Sequence, residues 1–238
     1  MATPKKTTKL PKARSAVEGQ PGDVAAIRAQ IQAFLRTPGS SGGTIGASKF
    51  GVYAFYDYDG EPIYIGQTFE GLGARISRHL TNQRTDAVAM NVLDPFEVAE
   101  ICVWPLDLRG LSKAEMKVAL DRAEYTLYQK VIKESRFNAV LNEKKPVVTD
   151  LITLPESYRG TIIPSEIFPQ RKHPDVRLAR RASTIASLAR VICERKVTKA
   201  LRTTLLTQAR RLEKLAEDRL AEFAQLPDEP DEELESND

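Results

Sequence analysis

Phe50-Gly51-Val52-Tyr53-Ala54-Phe55-Tyr56, then Asp59-Gly60, then Pro62-Ile63-Tyr64-Ile65-Gly66 is the stretch on which the reading of this 238-residue chain turns. The first run is aromatic and β-prone, which predicts a strand. Asp59-Gly60 signals a hairpin, because glycine adopts the positive φ that such turns require. The third run is the returning strand. Beyond it Leu72, Ile76 and Leu80 fall four apart, so a helix is expected over about 71–80. Residues 96–104 alternate well enough for a third strand. Ser112 is placed to cap a helix over about Lys113 to Lys133, with Met116, Leu120, Ala123, Leu127 and Val131 as its apolar stripe. Together these elements predict an α+β domain over 49–145: a three-stranded antiparallel sheet flanked by helices.

Working outward, Asp23 is a plausible N-cap for a short helix to about Arg36, with Ile27, Ile31, Phe34 and Leu35 on one face. Pro38-Gly39-Ser40-Ser41-Gly42-Gly43 reads as a linker, so 21–48 is taken as helix plus linker. Residues 146–170, proline-rich, read as an irregular connector. From 171 to 226 the spacing of Leu178, Ile185, Leu188, Ile192, Leu201, Leu205, Leu212 and Leu215 predicts a helical pair that breaks near Lys196-Val197-Thr198. Residues 1–20 are read as a disordered basic tail and 227–238 as a disordered acidic one.

A hydrophobic fraction of 42% with 28% charged residues is that of a soluble globular protein, and no apolar run is long enough to cross a membrane. Cys102 and Cys193 lie far apart in apolar runs and are read as buried free thiols of a cytoplasmic protein. The net charge of +3 conceals a polarised chain. Residues 1–20 hold five bases against Glu18, residues 171–219 hold fourteen bases against five acids, and 226–238 hold seven acids and no base. A polyanion would therefore meet the ends of the chain rather than its slightly acidic middle.

Gly51-Val52-Tyr53 followed by Tyr64-Ile65-Gly66 resembles the two-part signature of the GIY-YIG endonucleases. Alone it is weak, since aromatics on paired strands usually just pack. The resemblance continues in order: Arg75 on the next helix, His79 one turn later, Glu124 inside the 113–133 helix, and Asn138 in Arg136-Phe137-Asn138. It covers residues 50–142. It implies a GIY-YIG nuclease domain, a divalent metal (Mg²⁺ or Mn²⁺) held by Glu124, and hydrolysis of DNA phosphodiesters. By the same resemblance Tyr53 accepts a proton from the attacking water, Arg75 faces the phosphate, Tyr64 and His79 are hydrogen-bond partners, and Asn138 fixes local geometry. A single evident carboxylate implies one metal.

The residue types suit that chemistry. Hydrolysis needs an activated water and cations against the charge that develops on the phosphate oxygens. Glutamate is a hard oxygen ligand, as Mg²⁺ requires, and a guanidinium fork matches a phosphate. Each residue also has a plainer reading: Arg75 as a surface charge, His79 as a neutral helix residue, Asn138 as a helix terminus, Glu124 as a carboxylate beside the core edge. The chain departs from the family at Gln67, where lysine is frequent, which puts lysine-assisted water activation in doubt. The polar run 82–86 could touch nucleic acid or be a solvated loop.

For DNA binding, the basic helices are the best candidates through Arg177, Arg180, Arg181, Arg190, Arg195, Lys196, Lys199, Arg202, Arg210 and Arg211. Their rival role is packing on the nuclease domain, or forming a homodimer through the leucine stripe. The N-terminal lysines read as a DNA-binding arm or a solubilising tail, and the acidic tail as a DNA mimic shielding the basic helices. The competing functions are a catalytically inactive nucleic-acid-binding protein that retains the nuclease fold, and an interaction protein working through its helical pair.

Overall fold

The computed structural model describes residues 22–40, 42–80, 92–142 and 144–224, so the two terminal tails and the 82–86 run lie outside the described residues. The architecture is α+β. Helix α1 (Gly22–Leu35) precedes the hairpin of β1 (Phe50–Tyr56) and β2 (Pro62–Thr68). Then come α2 (Leu72–Leu80), β3 (Glu100–Leu106), α3 (Lys113–Glu134), β4 (Tyr158–Thr161), the short α4 (Phe168–Lys172), and the long helices α5 (Pro174–Glu194) and α6 (Lys199–Phe223).

The sheet has four strands in the order β2-β1-β3-β4, all antiparallel. The fourth strand corrects the three-strand expectation. Tyr158–Thr161 lies within the stretch expected to be irregular and pairs with β3 from Glu100↔Thr161 to Val103↔Tyr158. Its four residues carry no apolar alternation, so pairing with an existing edge, not local preference, makes it a strand. The third strand also starts later than expected, because Pro95–Glu97 forms a turn of 3-10 helix capped by Asp94.

Each face of the sheet carries a core. On one, Tyr53, Phe55, Ile101 and Val103 meet Ile27 and Ile31 of α1, Leu72 and Ile76 of α2, and Leu188 and Leu201 of the long helices. On the other, Val52, Ala54, Cys102 and Trp104 meet Leu120, Ala123, Leu127 and Val131 of α3. A bulge at Phe55/Tyr56 leaves Ile63 facing no residue of β1, and Ile63 and Tyr64 both serve the first core. Ser112 caps α3 as predicted, in a reciprocal capping box with Glu115. Asp23 instead lies in the first turn of α1, where it pairs with Arg171. Cys102 is buried as expected, but Cys193 is exposed.

In the basic helical region, four of the arginines proposed for phosphate take the rival role of packing. Arg177, Arg181 and Arg211 are buried, and all three reach the Oδ2 atom of Asp57, at 3.4, 3.0 and 2.6 Å. Arg177 also holds Asp59, Arg181 holds Glu97, and Arg180 holds Asp94. These four arginines tie the helices to the β1–β2 turn and to the start of β3, so they are not surface charges waiting for phosphate. The other oxygen of Asp57 accepts from the backbone N–H groups of Asp59 and Glu61. One carboxylate thus shapes the turn and anchors both long helices.

Candidate active site

The Tyr53 side chain is fully buried under β2, opposite Gly66. A Cβ on Gly66 would lie 2.5 Å from the Tyr53 hydroxyl, so only glycine lets the phenol reach past the strand. There Arg75 donates from Nε to the Tyr53 oxygen at 3.3 Å, and His79 Nε2 lies 3.2 Å from it. Arg75 and His79 are one turn apart on α2, which sets both against the same phenol. The Tyr64 ring stacks on Tyr53 with centroids 6.3 Å apart and stands 5.2 Å from the His79 ring. Glu70 pairs with Arg75 at 3.7 Å and also with Arg78. Arg75 keeps part of its side chain exposed, so the guanidinium bridges the buried phenol and the surface.

From the other side of the sheet, α3 brings Glu124. Gln67 Nε2 donates to Glu124 Oε2 and to Asp121 Oδ1, both at 2.9 Å, joining the two carboxylates. Asp121 corrects the single-carboxylate expectation. Its signal was available in the sequence, three residues before Glu124 and hence on the same helical face. Lys117 holds its outer oxygen at 2.7 Å. The Gln67 carbonyl oxygen, buried, has no hydrogen-bond partner among the described residues.

Environment pushes these groups apart. Burial raises the Tyr53 phenol far above its usual value, with Tyr64 adding to the effect and Arg75 working against it. Tyr53 is therefore a neutral phenol here, and its burial works against acting as a free base. Burial also raises the Glu124 carboxyl, with Asp121 adding to the rise, while Gln67 and Arg75 oppose it. For Asp121, burial would raise the carboxyl, but its bonds from Lys117 and Gln67 hold it below the usual range. Two neighbouring carboxyls with opposite shifts, beside a neutral phenol, are what acid–base or metal chemistry uses.

Asn138 is not brought to this cluster. It takes the left-handed conformation with φ 49° in the turn after α3, its N–H donating to the Ser135 carbonyl at 3.2 Å. Asparagine is among the few residues that tolerate that geometry, and this agrees with the plainer reading. Asn142 is the one that reaches the sheet. It accepts from the Ile65 N–H at 3.1 Å and donates to the Ile65 carbonyl at 2.9 Å, covering the free edge of β2.

No family model, curated protein or solved structure matches the chain. Whether the site suits a divalent metal therefore rests on its donors. Glu124, Asp121 and the unpaired Gln67 carbonyl offer only oxygen, the choice of a hard cation. Among the described residues, no group of three or more His, Cys, Asp or Glu side chains is placed so as to hold a metal ion. A hard cation that keeps most of its water shell fits such a sparse set better than one needing a full protein cage.

Proposed function

We propose that this chain is a metal-dependent endonuclease hydrolysing DNA phosphodiester bonds through a site of the GIY-YIG type. The observation that carries the reading is the hydrogen-bonded run from Arg75 through Tyr53 to His79, next to the carboxylates joined by Gln67. A fold that merely bound nucleic acid would have no physical need for a buried phenol held between a guanidinium and an imidazole.

Glu124, with Asp121 and Gln67 at hand, would hold Mg²⁺ or Mn²⁺, which would supply positive charge against the phosphate and acidify water. Arg75 offers its partly exposed guanidinium to a nonbridging phosphate oxygen and strengthens its hold as charge grows there in the transition state. The attacking water gives its proton to the Tyr53 oxygen while the Tyr53 hydroxyl proton passes to His79 Nε2. This exchange keeps the buried phenol neutral throughout, as its raised pKa demands. Water oxygen bonds to phosphorus, the P–O bond to the leaving oxygen breaks, and solvent protonates that oxygen. Tyr64 packs against both partners of the relay and limits their rotation.

Incubation of supercoiled plasmid and of single-stranded DNA with Mg²⁺ tests the reading. Wild-type protein is expected to nick or linearise the plasmid, and Glu124→Ala to lose at least about a hundredfold in rate, the scale of a lost transition-state contact. Equal cutting by both proteins would sink the site. Metal-independent DNA binding without cutting would favour the inactive binding protein.

A further inference from the structure

Six of the fourteen bases in 171–219 are held in ion pairs with acids of other elements: Arg171, Arg177, Arg180, Arg181, Arg211 and Arg219. A different set remains exposed where the two long helices turn: Arg195, Lys196, Lys199 and Arg202. The same end of the molecule receives two lysines from outside the helices. After α3 the chain runs along the free edge of β2, with the Leu141 N–H donating to the Ile63 carbonyl at 2.7 Å and Asn142 clamping Ile65. It then leaves the strand at Lys144 and Lys145, both exposed. Thr204 of α6 donates to the Asn142 carbonyl at 3.3 Å, fixing the strap against the helix. Between them opens a groove of about 80 Å³ walled by Tyr128, Asn142, Lys144, Lys145, Thr203 and Thr204.

The groove lies beside the candidate active site. Tyr128 is one turn beyond Glu124 on α3, a rise of about 6 Å. Ile65, which the strap clamps, is two residues from Gln67, which holds Glu124. Lys199 lies one turn before the lining residue Thr203 on α6 and is exposed, so its charge is close to the opening. None of Lys144, Lys145, Lys199 and Arg202 joins an ion pair among the described residues, and Glu194 is the exposed acid nearest to them in the helical turn.

We infer that this groove, with Lys144 and Lys145 on its wall and the exposed bases Lys199 and Arg202 on the adjoining turn of α6, lies on the surface that seats the phosphate backbone of duplex DNA next to the scissile bond. The inference rests on the nuclease reading for its partner, but it assigns binding to a surface distinct from the catalytic residues. It also divides the work of the basic helices. Their buried arginines fasten the helices to the sheet hairpin, and the exposed bases at their turn face the nucleic acid. Positive groups at such a site release counterions from DNA, so binding must weaken steeply with salt.

The test is fluorescence anisotropy of a labelled DNA duplex against full-length protein in EDTA, titrated over a range of NaCl concentrations. Two double variants, Lys144→Ala/Lys145→Ala and Lys199→Ala/Arg202→Ala, are each expected to weaken Kd about tenfold or more at low salt. Each should also reduce the slope of log K against log salt by about 2, or roughly one per phosphate contact removed. The comparison variant Arg136→Ala/Lys172→Ala removes two bases from the larger groove at the opposite, hairpin-turn end of the molecule. It should leave Kd within about twofold. Equal weakening in all three variants would show that net charge alone binds DNA and would overturn the inference, as would unchanged Kd in the first two. Thermal midpoints matching wild type confirm that all three variants are folded. Wild type that binds with the expected dependence on the groove but cuts nothing with Mg²⁺ would defeat the nuclease reading and leave the groove standing. Cutting by wild type with unaltered Kd in both groove variants would do the reverse.

Discussion

Two polar clusters sit at opposite ends of the β1–β2 hairpin, and they are built on opposite principles. At the turn, Asp57, Asp59 and Glu97 meet Arg177, Arg181 and Arg211, and charge is matched by charge in a buried space. At the far end, a neutral amide joins two carboxylates, and a phenol raised by burial sits between a guanidinium and an imidazole. The first cluster pairs each of its carboxylates with a guanidinium and holds the long helices to the hairpin. The second leaves a carboxyl raised, the Gln67 amide oxygen unpaired and a guanidinium partly exposed, the groups that a cation and a phosphate would meet on the proposed reading.

The sharpest way to break this contrast is Asp57→Ala. It strips the shared acceptor from three buried arginines, and breaking such a network costs about 3–5 kcal/mol. Denaturant unfolding should show the loss, and a change under 1 kcal/mol would mean that the cluster is not the anchor proposed. Gly66→Ala should come next. The new methyl group would meet the Tyr53 hydroxyl, displacing it from Arg75 and His79. Overpacking of this kind costs about 1–3 kcal/mol, and nuclease rate should fall more than stability. Unchanged plasmid cleavage with a normal melting point would remove Tyr53 from the site.

The smallest effect is the most specific. The folded-state pKa of the Glu124 carboxyl lies above its unfolded value, so between the two the native state holds more protons and stability falls as pH rises. Below the unfolded pKa the penalty is absent, and above the folded pKa it is fully present. In Glu124→Gln this descent just above the ordinary carboxylate range should vanish from a thermal melting series, with midpoints at neutral pH equal to or above wild type. Mg²⁺ should raise the wild-type midpoint more at neutral pH than near pH 4, and should do little for Glu124→Gln. A variant that retained the full pH dependence would place the raised carboxyl elsewhere.

Much of the fold is legible in the sequence. The aromatic runs around Asp59-Gly60, the four-residue spacing of Leu72, Ile76 and Leu80, and the capping box at Ser112 each carry their own local signal, and each formed the element expected. The order Tyr53, Tyr64, Arg75, His79, Glu124 was readable too, and the structure gathers Tyr64, Arg75 and His79 around the Tyr53 phenol, with Glu124 close enough to act on it electrostatically. Order alone leaves Asn138 open between a site and a turn, and the structure shows it in the left-handed conformation of the turn after α3. Asp121 and Gln67 were visible as letters but not as partners. Their meeting requires β2 and α3 to pack at one particular register.

Sequence by itself thus determined the local elements and the kinds of chemistry on offer, because helix period, strand alternation, turn glycines and caps act over a few residues. Only the tertiary structure decided which charges were spent. Arg177 and Lys199 look alike in a basic helix, yet one is buried at 2% exposure against acids from the hairpin and the other faces solvent. Tertiary contact likewise made Tyr158–Thr161 a strand, since an edge strand takes its hydrogen bonds from a neighbour almost sixty residues away. The physical reason is the same in both cases. Burial and long-range pairing depend on what the rest of the chain places alongside, and no window of neighbouring residues contains that information.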